Sequence, residues 1–166
     1  MGDFYQNGVI TTLHNLNRRP VEEIEAELRT FSKTRPMALI LPSLFSELEG
    51  PALKNIVEEL KSVDYLEEII IGLDAANEEQ YKYALEFFSV LPQRKKILWN
   101  DGPRLQAIDA KLKLEDISPI EKGKGRNVWF CMGYALASGR AKSVAMHDCD
   151  ILTYKRDLLA RLIYPV

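Results

Sequence analysis

Cysteine is scarce in this sequence, with only Cys131 and Cys149 among its 166 residues. Their spacing fits no zinc-binding pattern, so a reducing cytoplasm is the expected setting. We expect each of the two to be a small, buried hydrophobic residue.

Long apolar runs and an excess of basic residues are also absent. No stretch reaches about 18 apolar residues, so we expect no membrane span. Residues 1–7 have neither the basic nor the apolar region of a signal peptide. The net charge of −2 gives no indication of a nucleic-acid-binding surface. An ordinary globular protein remains, long enough for one domain with its own core.

What the sequence does contain is a regular alternation of apolar, strand-like runs and amphipathic, helix-like segments. This alternation predicts an α/β fold with a mostly parallel, doubly wound sheet and helices on both faces. The predicted strands are residues 37–41, 68–73, 96–99 and 143–146. The predicted helices are residues 20–33, a segment beginning at Pro51, and residues 77–88, 103–114 and 127–138.

The predicted helices differ in their patterns. The glutamates of 20–33 are expected to face water, and 103–114 has one apolar face. The helix at 127–138 is apolar on nearly all sides, which predicts deep burial. Asn127 is expected to cap it, and Gly139 to end it.

Two carboxylates, Asp148 and Asp150, follow the last predicted strand with one residue between them. Open α/β sheets bind ligands outside the carboxyl ends of their strands, and strand alternation would place both side chains on one side. Two carboxylates this close repel each other, a cost that a divalent cation would remove. The alternative is a solvated turn. His147 would point away from Asp148, which favours a structural role.

A glycine-bracketed basic loop, Gly123-Lys124-Gly125-Arg126, precedes the apolar helix. Glycines let a backbone approach an anion closely, and a helix N-terminus attracts negative charge. The alternative is an exposed basic turn. The spacing matches neither a Walker loop nor a dinucleotide-binding fingerprint.

Polar residues also follow the first two predicted strands. Pro42, Ser43 and Glu47 lie in a predicted loop, and Asp74 ends the second strand. Carboxylates at these positions can accept hydrogen bonds from ribose hydroxyls or from a base N–H. Ordinary caps and turns explain each of them equally well when taken singly.

Taken in order, these features resemble the nucleotide-binding half of a GT-A glycosyltransferase. The resemblance implies a GT-A, Rossmann-like fold. More narrowly, the chain is similar to the group of retaining glucosyl-3-phosphoglycerate and mannosylglycerate synthases. The resemblance covers roughly residues 36–157 and is carried by residues 39–43 with Glu47, residues 69–74, Gly123-Lys124-Gly125 and Asp148-Cys149-Asp150.

The resemblance implies roles for the residues at the first two strand ends. Pro42, Ser43 and Glu47 would line the pocket for the nucleoside of the donor. Asp74 would contact the base or the ribose.

The resemblance also implies roles for the later motifs. Lys124, between Gly123 and Gly125, would reach the base or the diphosphate. Asp148 would touch the ribose or the sugar, and Asp150 would be the main ligand of Mg²⁺ or Mn²⁺. Asp148 and Asp150 would form the catalytic pair, because the cation stabilises the leaving diphosphate.

The implied activity is a metal-dependent retaining glycosyltransferase. It would transfer glucose from a nucleotide diphosphate sugar, expected to be UDP-glucose, to a small acidic acceptor such as 3-phosphoglycerate. A GDP-mannose-dependent mannosyltransferase, a nucleotide-sugar binding module without catalysis and an unrelated nucleotidyltransferase stay open. The expected partners are donor and acceptor, together with a second copy in a homodimer, and no nucleic acid.

The chain divides by pattern into two parts. Residues 1–35 are interpreted as an N-terminal arm, with a β-prone segment at 9–13, and a helix. Residues 36–166 are interpreted as the nucleotide-sugar-binding part of a GT-A domain. We expect this domain to be truncated, with a further metal ligand and the acceptor site in a C-terminal half.

Overall fold

A computed structural model describes residues 19–166, so the β-prone segment at 9–13 lies outside the described residues. The strands are β1 (Met37–Leu44), β2 (Leu66–Asp74), β3 (Arg94–Trp99) and β4 (Ser143–Met146). The α-helices are α1 (Val21–Phe31), α2 (Phe45–Glu49), α3 (Pro51–Leu60), α4 (Glu78–Phe87), α5 (Pro103–Leu114), α6 (Lys124–Ser138) and α7 (Arg156–Ile163). A short 3₁₀ turn, Phe88–Val90, follows α4.

The four strands form one sheet in the order β3-β2-β1-β4, and all neighbours are parallel. The predicted α/β fold with a parallel sheet is therefore confirmed. β1 pairs with β2 as far as Leu44 and Asp74, but with β4 only as far as Ile40 and Met146. The carboxyl end of β1 therefore projects beyond the end of β4.

Each face of the sheet carries a hydrophobic core. Because alternate strand residues face opposite sides, Leu39 and Leu41 enter the larger core with side chains of α1, α3, α4 and α7. Ala38 and Ile40 enter a smaller core that Cys131 of α6 helps to form. Helices on both faces, as predicted, cover the sheet and fix the positions of the strand ends.

The loop predicted at residues 42–47 is wrong, because β1 continues to Leu44 and α2 follows at once. The carbonyl oxygen of Ile40 accepts a hydrogen bond from the backbone N–H of His147 at 3.1 Å, so the backbone N–H and C=O groups of Ile40 face β4. Pro42, two residues further on, faces the same side, where β4 no longer pairs. The N–H that Pro42 lacks therefore costs no ladder hydrogen bond.

The expectation that the glutamates of the first helix face water is wrong for Glu25. This carboxylate is buried and lies 3.3 Å from Nε of Arg156 and 4.0 Å from Nη2 of Arg29. Burial raises the pKa of Glu25 above its ordinary value. The two guanidinium groups oppose this shift, and Arg156 links α1 to α7.

The apolar face predicted for residues 103–114 is not buried along α5. Ile108 is 51% exposed, and the one residue that α5 buries is Asp109. A carboxylate, and not an apolar stripe, therefore faces the rest of the molecule.

Deep burial of the apolar helix is also wrong. α6 packs Phe130 and Cys131 inward, whereas Trp129 and Leu136 are exposed, Leu136 by 83%. Asn127 lies inside the helix and does not cap it. The N-cap position is taken by Gly123, whose φ of 142° favours glycine.

Both cysteines are buried and unpaired, as predicted. None of the helices within residues 19–166 is long and apolar enough to cross a membrane.

Candidate functional site

The polar strand ends meet where the connectivity of the sheet changes direction. From β1 the chain proceeds outward through β2 to β3, and then returns to place β4 on the other side of β1. Ligands of open α/β sheets bind at such a switch point, outside the carboxyl ends of the strands.

A cleft of about 220 Å³ opens at these strand ends. A larger cavity of about 410 Å³ is lined by α7 and the turn before it, without residues from the strand ends. The smaller cleft is therefore the candidate site. Its lining residues are Pro42, Ser43, Leu44, Glu47, Asp74, Gly123, Lys124 and Asn127.

Glu47 reaches back from the first turn of α2 to the end of β1. Its Oε2 accepts a hydrogen bond from the backbone N–H of Leu44 at 2.8 Å. Ser43 is buried beside it and donates to the carbonyl oxygen of Leu44 at 2.9 Å. These two contacts fix the end of β1, while one carboxylate oxygen of Glu47 stays available to a ligand.

Asp74 ends β2 and is held by a neighbour from the end of β3. Asn100 donates from Nδ2 to Oδ1 of Asp74 at 2.8 Å, and the Asn100 backbone N–H bonds to Leu73 at 2.9 Å. Burial raises the pKa of Asp74 above its ordinary value, and the hydrogen bond from Asn100 opposes this shift. Asp74 is therefore oriented before any ligand arrives.

Lys124 is the first residue of α6, lines the cleft and forms an ion pair with Asp148. Its ammonium group donates a hydrogen bond to the Asp148 carboxylate, which joins the start of α6 to the turn after β4. The pKa of Lys124 lies above its ordinary value because of this hydrogen bond. The first N–H groups of α6 and the Lys124 ammonium thus lie at the same end of the cleft.

Asp148 and Asp150 follow the end of β4, so strand alternation does not govern where their side chains lie. Asp148 is partly exposed and Asp150 is exposed, in a turn after Met146. His147, between strand and turn, is buried, with Nδ1 at 3.0 Å from the Tyr154 hydroxyl. This is the structural position that the sequence favours for His147.

Two residues of the basic loop are not part of the cleft wall. Gly125 is exposed in the first turn of α6 and does not line the cleft. Arg126 is directed toward the buried carboxylate of Asp109, at 3.6 Å. Among the described residues that line the cleft, Lys124 is therefore the cationic side chain, and Glu47 and Asp74 are the carboxylates.

No protein-family model matches the chain. A glucosyl-3-phosphoglycerate synthase from Persephonella marina is 48% identical over 166 residues, which is 100% of this chain and 41% of the relative. A protein of the same name from Methanococcoides burtonii is 39% identical, over 99% of this chain and 40% of the relative. The chain is homologous to glucosyl-3-phosphoglycerate synthases. It spans about two fifths of the length of these curated relatives.

The resemblance that the motifs imply is thereby confirmed, and this chain is a homologue of a glycosyltransferase. In this glucosyl-3-phosphoglycerate synthase homologue, six of the nine predicted site residues line one cleft: Pro42, Ser43, Glu47, Asp74, Gly123 and Lys124. Asp148 joins them through its ion pair with Lys124. The individual roles of these residues stay predictions.

The carboxylates of Asp148 and Asp150 are the predicted donor set for a cation. No group of three or more His, Cys, Asp or Glu side chains is arranged as a metal site within residues 19–166. Mg²⁺ commonly takes one or two carboxylates and completes its shell with waters and phosphate oxygens. The two carboxylates in the turn after β4 are oxygen ligands of the kind that such an ion takes.

Sequence reasoning missed two neighbours of Asp74 as parts of the site. Asn100 resembles an ordinary turn residue in the sequence. It directly follows β3, just as Asp74 is the last residue of β2, and these equivalent positions at the ends of two strands could have indicated that the two side chains are neighbours. Asn127 is buried in α6 and donates to the carbonyl oxygen of Gly72 at 2.9 Å. It lines the cleft while it anchors the helix.

Proposed function

We propose that this chain is the donor-binding part of a retaining glucosyltransferase that uses UDP-glucose and a small acidic acceptor such as 3-phosphoglycerate. The names of the two relatives support the transfer of glucose to 3-phosphoglycerate. The observation that carries the proposal is the cleft at the switch point, which unites the ends of β1 and β2 with the start of α6.

The nucleoside of the donor lies against the ends of β1 and β2. Pro42 and Ser43 form one wall, and Asp74 accepts a hydrogen bond from the base or the ribose. The free oxygen of Glu47 is a second acceptor on this wall. The Asn100 amide keeps the Asp74 carboxylate in place, so little ordering is needed on binding.

The diphosphate of the donor lies at the start of α6. Lys124 and the unpaired N–H groups of the first helical turn stabilise its charge. Gly123 lets the backbone adopt the positive φ with which the helix begins here. Because carboxylates outnumber cations around the cleft, an anionic ligand requires additional positive charge.

Asp150 and Asp148 are the residues that would hold a divalent cation, with Asp150 as the main ligand. When bound, Mg²⁺ or Mn²⁺ acts as a Lewis acid that stabilises negative charge on the leaving diphosphate. In the transfer, the acceptor hydroxyl oxygen bonds to the anomeric carbon as the bond to the diphosphate oxygen breaks. The electron pair stays with the diphosphate, and its leaving oxygen takes up the proton of the acceptor hydroxyl. Retention requires the acceptor to approach from the face that the diphosphate leaves.

Calorimetry of UDP, GDP and UDP-glucose, each with and without Mn²⁺, tests the proposal. We expect UDP and UDP-glucose to bind, and Mn²⁺ to increase their affinity. Absence of metal-enhanced binding for every nucleotide would contradict the glycosyltransferase assignment. Tight binding of GDP without binding of UDP would instead support a mannosyltransferase.

The metal assignment is tested by Asp150→Asn, with Asp157→Asn as the matched control. Both variants lose one exposed or partly exposed carboxylate, but Asp157 lies on α7 and pairs with Arg161. We expect Asp150→Asn to abolish the Mn²⁺ enhancement of UDP binding and Asp157→Asn to retain it. Equal losses in both variants would contradict the ligand assignment.

A further inference from the structure

Asp109 is a buried carboxylate that lies outside the cleft and has no part in the proposed chemistry. Its side chain is 2% exposed, although α5 around it is exposed along most of its length. A buried carboxylate is costly unless it is paired and hydrogen-bonded. The partners of Asp109 therefore explain why it is there.

These partners come from three successive segments of the chain. Lys113 of α5 approaches one oxygen of Asp109 at 2.8 Å, and the Ser118 hydroxyl donates to the other. Nη2 of Arg126, in the first turn of α6, lies 3.6 Å away. The pKa of Asp109 lies below its ordinary value because Lys113 and Ser118 donate to the charged carboxylate. One carboxylate thus joins α5, the segment before α6, and α6 itself.

Arg126 contacts Asp109 and does not line the cleft, although its charge opposes the rise in the pKa of Asp74. Its side chain is 9% exposed, and its guanidinium carbon lies 5.3 Å from the centre of the Phe130 ring. Arg126 is two residues from Lys124, so a shift of one moves the other. The segment 117–123 forms neither helix nor strand, and the Ser118 contact ties it to the same carboxylate.

We infer that Asp109 and Arg126 are positioning residues that hold the first turn of α6, and with it Gly123 and Lys124, in place for the donor diphosphate. The inference rests on the proposed function. Asn127 holds the same helix to β2, because its Nδ2 donates to the carbonyl oxygen of Gly72 at 2.9 Å. The first turn is thus held on two sides before ligand arrives, which lowers the cost of binding.

The test compares Arg126→Gln with Lys113→Gln. Both remove a cation from Asp109, but Lys113 lies on α5 as Asp109 does, whereas Arg126 is the partner from α6. We expect Arg126→Gln to weaken UDP binding about tenfold, the lower end of what losing an orienting partner costs. Lys113→Gln should stay within about twofold, and Arg126→Lys should recover part of the loss. Equal effects of Arg126→Gln and Lys113→Gln would overturn the inference.

A double-mutant cycle separates positioning from direct contact of Arg126 with the ligand. If Arg126 acts through Asp109, Asp109→Asn should weaken UDP binding as Arg126→Gln does, and the double variant should lose no more than either. Additive losses, or unchanged binding in Asp109→Asn, would overturn the inference. Should Asp109→Asn fail to fold, the comparison of Arg126→Gln with Lys113→Gln decides.

Hydrogen exchange of the ligand-free chain gives a readout that does not depend on the proposed function. We expect amides of residues 117–127 to exchange faster in Arg126→Gln than in the wild type or in Lys113→Gln. Unchanged exchange would overturn the positioning role even if UDP binds. If the wild type binds no nucleotide while exchange rises as expected, the proposed function fails and the positioning of α6 stands.

Discussion

Asp74 illustrates how one side chain is set by its surroundings at the end of a strand. Burial raises its pKa above the ordinary value of 3.8, and the amide of Asn100 offsets part of this shift. A carboxylate with a raised folded-state pKa contributes stability that is fully present below its unfolded pKa. That contribution is lost as the pH rises through the folded-state value. At neutral pH the charged form of Asp74 is therefore a cost to the fold.

We predict that Asp74→Asn is more stable than the wild type at pH 7 and binds UDP roughly tenfold more weakly. The stability gain follows from removing the buried charge, and the affinity loss from removing a charged hydrogen-bond acceptor. Urea unfolding at pH 7 and at pH 3.5 measures the first effect, which should shrink at the lower pH. Calorimetry measures the second. A variant that is less stable at pH 7 and binds UDP normally would contradict both arguments.

For single residues, the sequence predicts the location of a side chain that directly follows a strand. It does not predict the location of a side chain whose position depends on a partner distant in the sequence. Asp74 could be placed because it directly follows an apolar run. Arg126 was interpreted as part of the anion site because the sequence shows its charge. The sequence does not show that Arg126 contacts Asp109, 17 positions earlier. The buried Glu25 has the same explanation, because its partner Arg156 comes from the far end of the chain.

Among the elements, α6 and β2 pack unusually closely at Gly72. A Cβ atom on Gly72 would lie 1.6 Å from Oδ1 of Asn127 and 2.7 Å from Sγ of Cys131. The glycine is therefore needed for space, since Asn127 crosses above it to reach the Gly72 carbonyl oxygen. Asn127 also lines the cleft, so this contact fixes the start of α6 beside it.

We predict that Gly72→Ala lowers the free energy of unfolding by about 1–3 kcal/mol, as overpacking in a core does. It should also weaken UDP binding, because α6 must move away from the sheet. Gly133→Ala is the control within the same helix, since its Cβ would meet no atom within 4 Å. That change should stabilise the protein by roughly 0.8–1.0 kcal/mol through helix propensity. Chemical denaturation and calorimetry check both variants, and equal effects would refute the packing argument.

The elements themselves were largely predictable, and their burial was not. All four strands and the helix after Pro51 follow from apolar periodicity. The extension of β1 through Pro42 was missed because proline argues against a strand unless one edge is known to be free. The pattern predicted one apolar face for α5 and deep burial for α6, but only neighbouring elements decide which face is covered, as the exposed Ile108 and Leu136 show.

Across the whole molecule, the ion pair of Glu25 and Arg156 connects the first and last helices described. Glu25 is buried, and its raised pKa reflects burial that Arg156 opposes. The stability that Glu25 contributes is thus fully present below its ordinary pKa of 4.5 and falls as the pH rises through its folded-state value. Without Arg156, the stability would fall further as the pH rises, because the charged form of Glu25 would lose its nearer guanidinium partner.

We predict that Arg156→Gln lowers the free energy of unfolding at pH 7 by about 3 kcal/mol, the lower end of the cost of breaking a buried pair, because Arg29 still lies 4.0 Å from Glu25. The loss should diminish as the pH is lowered and Glu25 is protonated. The double variant Glu25→Gln/Arg156→Gln should recover most of the stability at pH 7. Lys61→Gln, which breaks an exposed pair with Glu58, should cost less than about 1 kcal/mol. Urea denaturation decides, and a double variant as unstable as the single one would refute the argument.

The ion pair between Lys124 and Asp148 has a thermodynamic consequence for the order of events in the cleft. A cation that approaches Asp148 competes with the Lys124 ammonium, and a phosphate that approaches Lys124 competes with the Asp148 carboxylate. The first ligand to bind bears the free-energy cost of separating Lys124 from Asp148. The second ligand then binds a residue whose ion pair is already broken. Metal and nucleotide would then each raise the affinity for the other by the same factor, since such linkage is reciprocal.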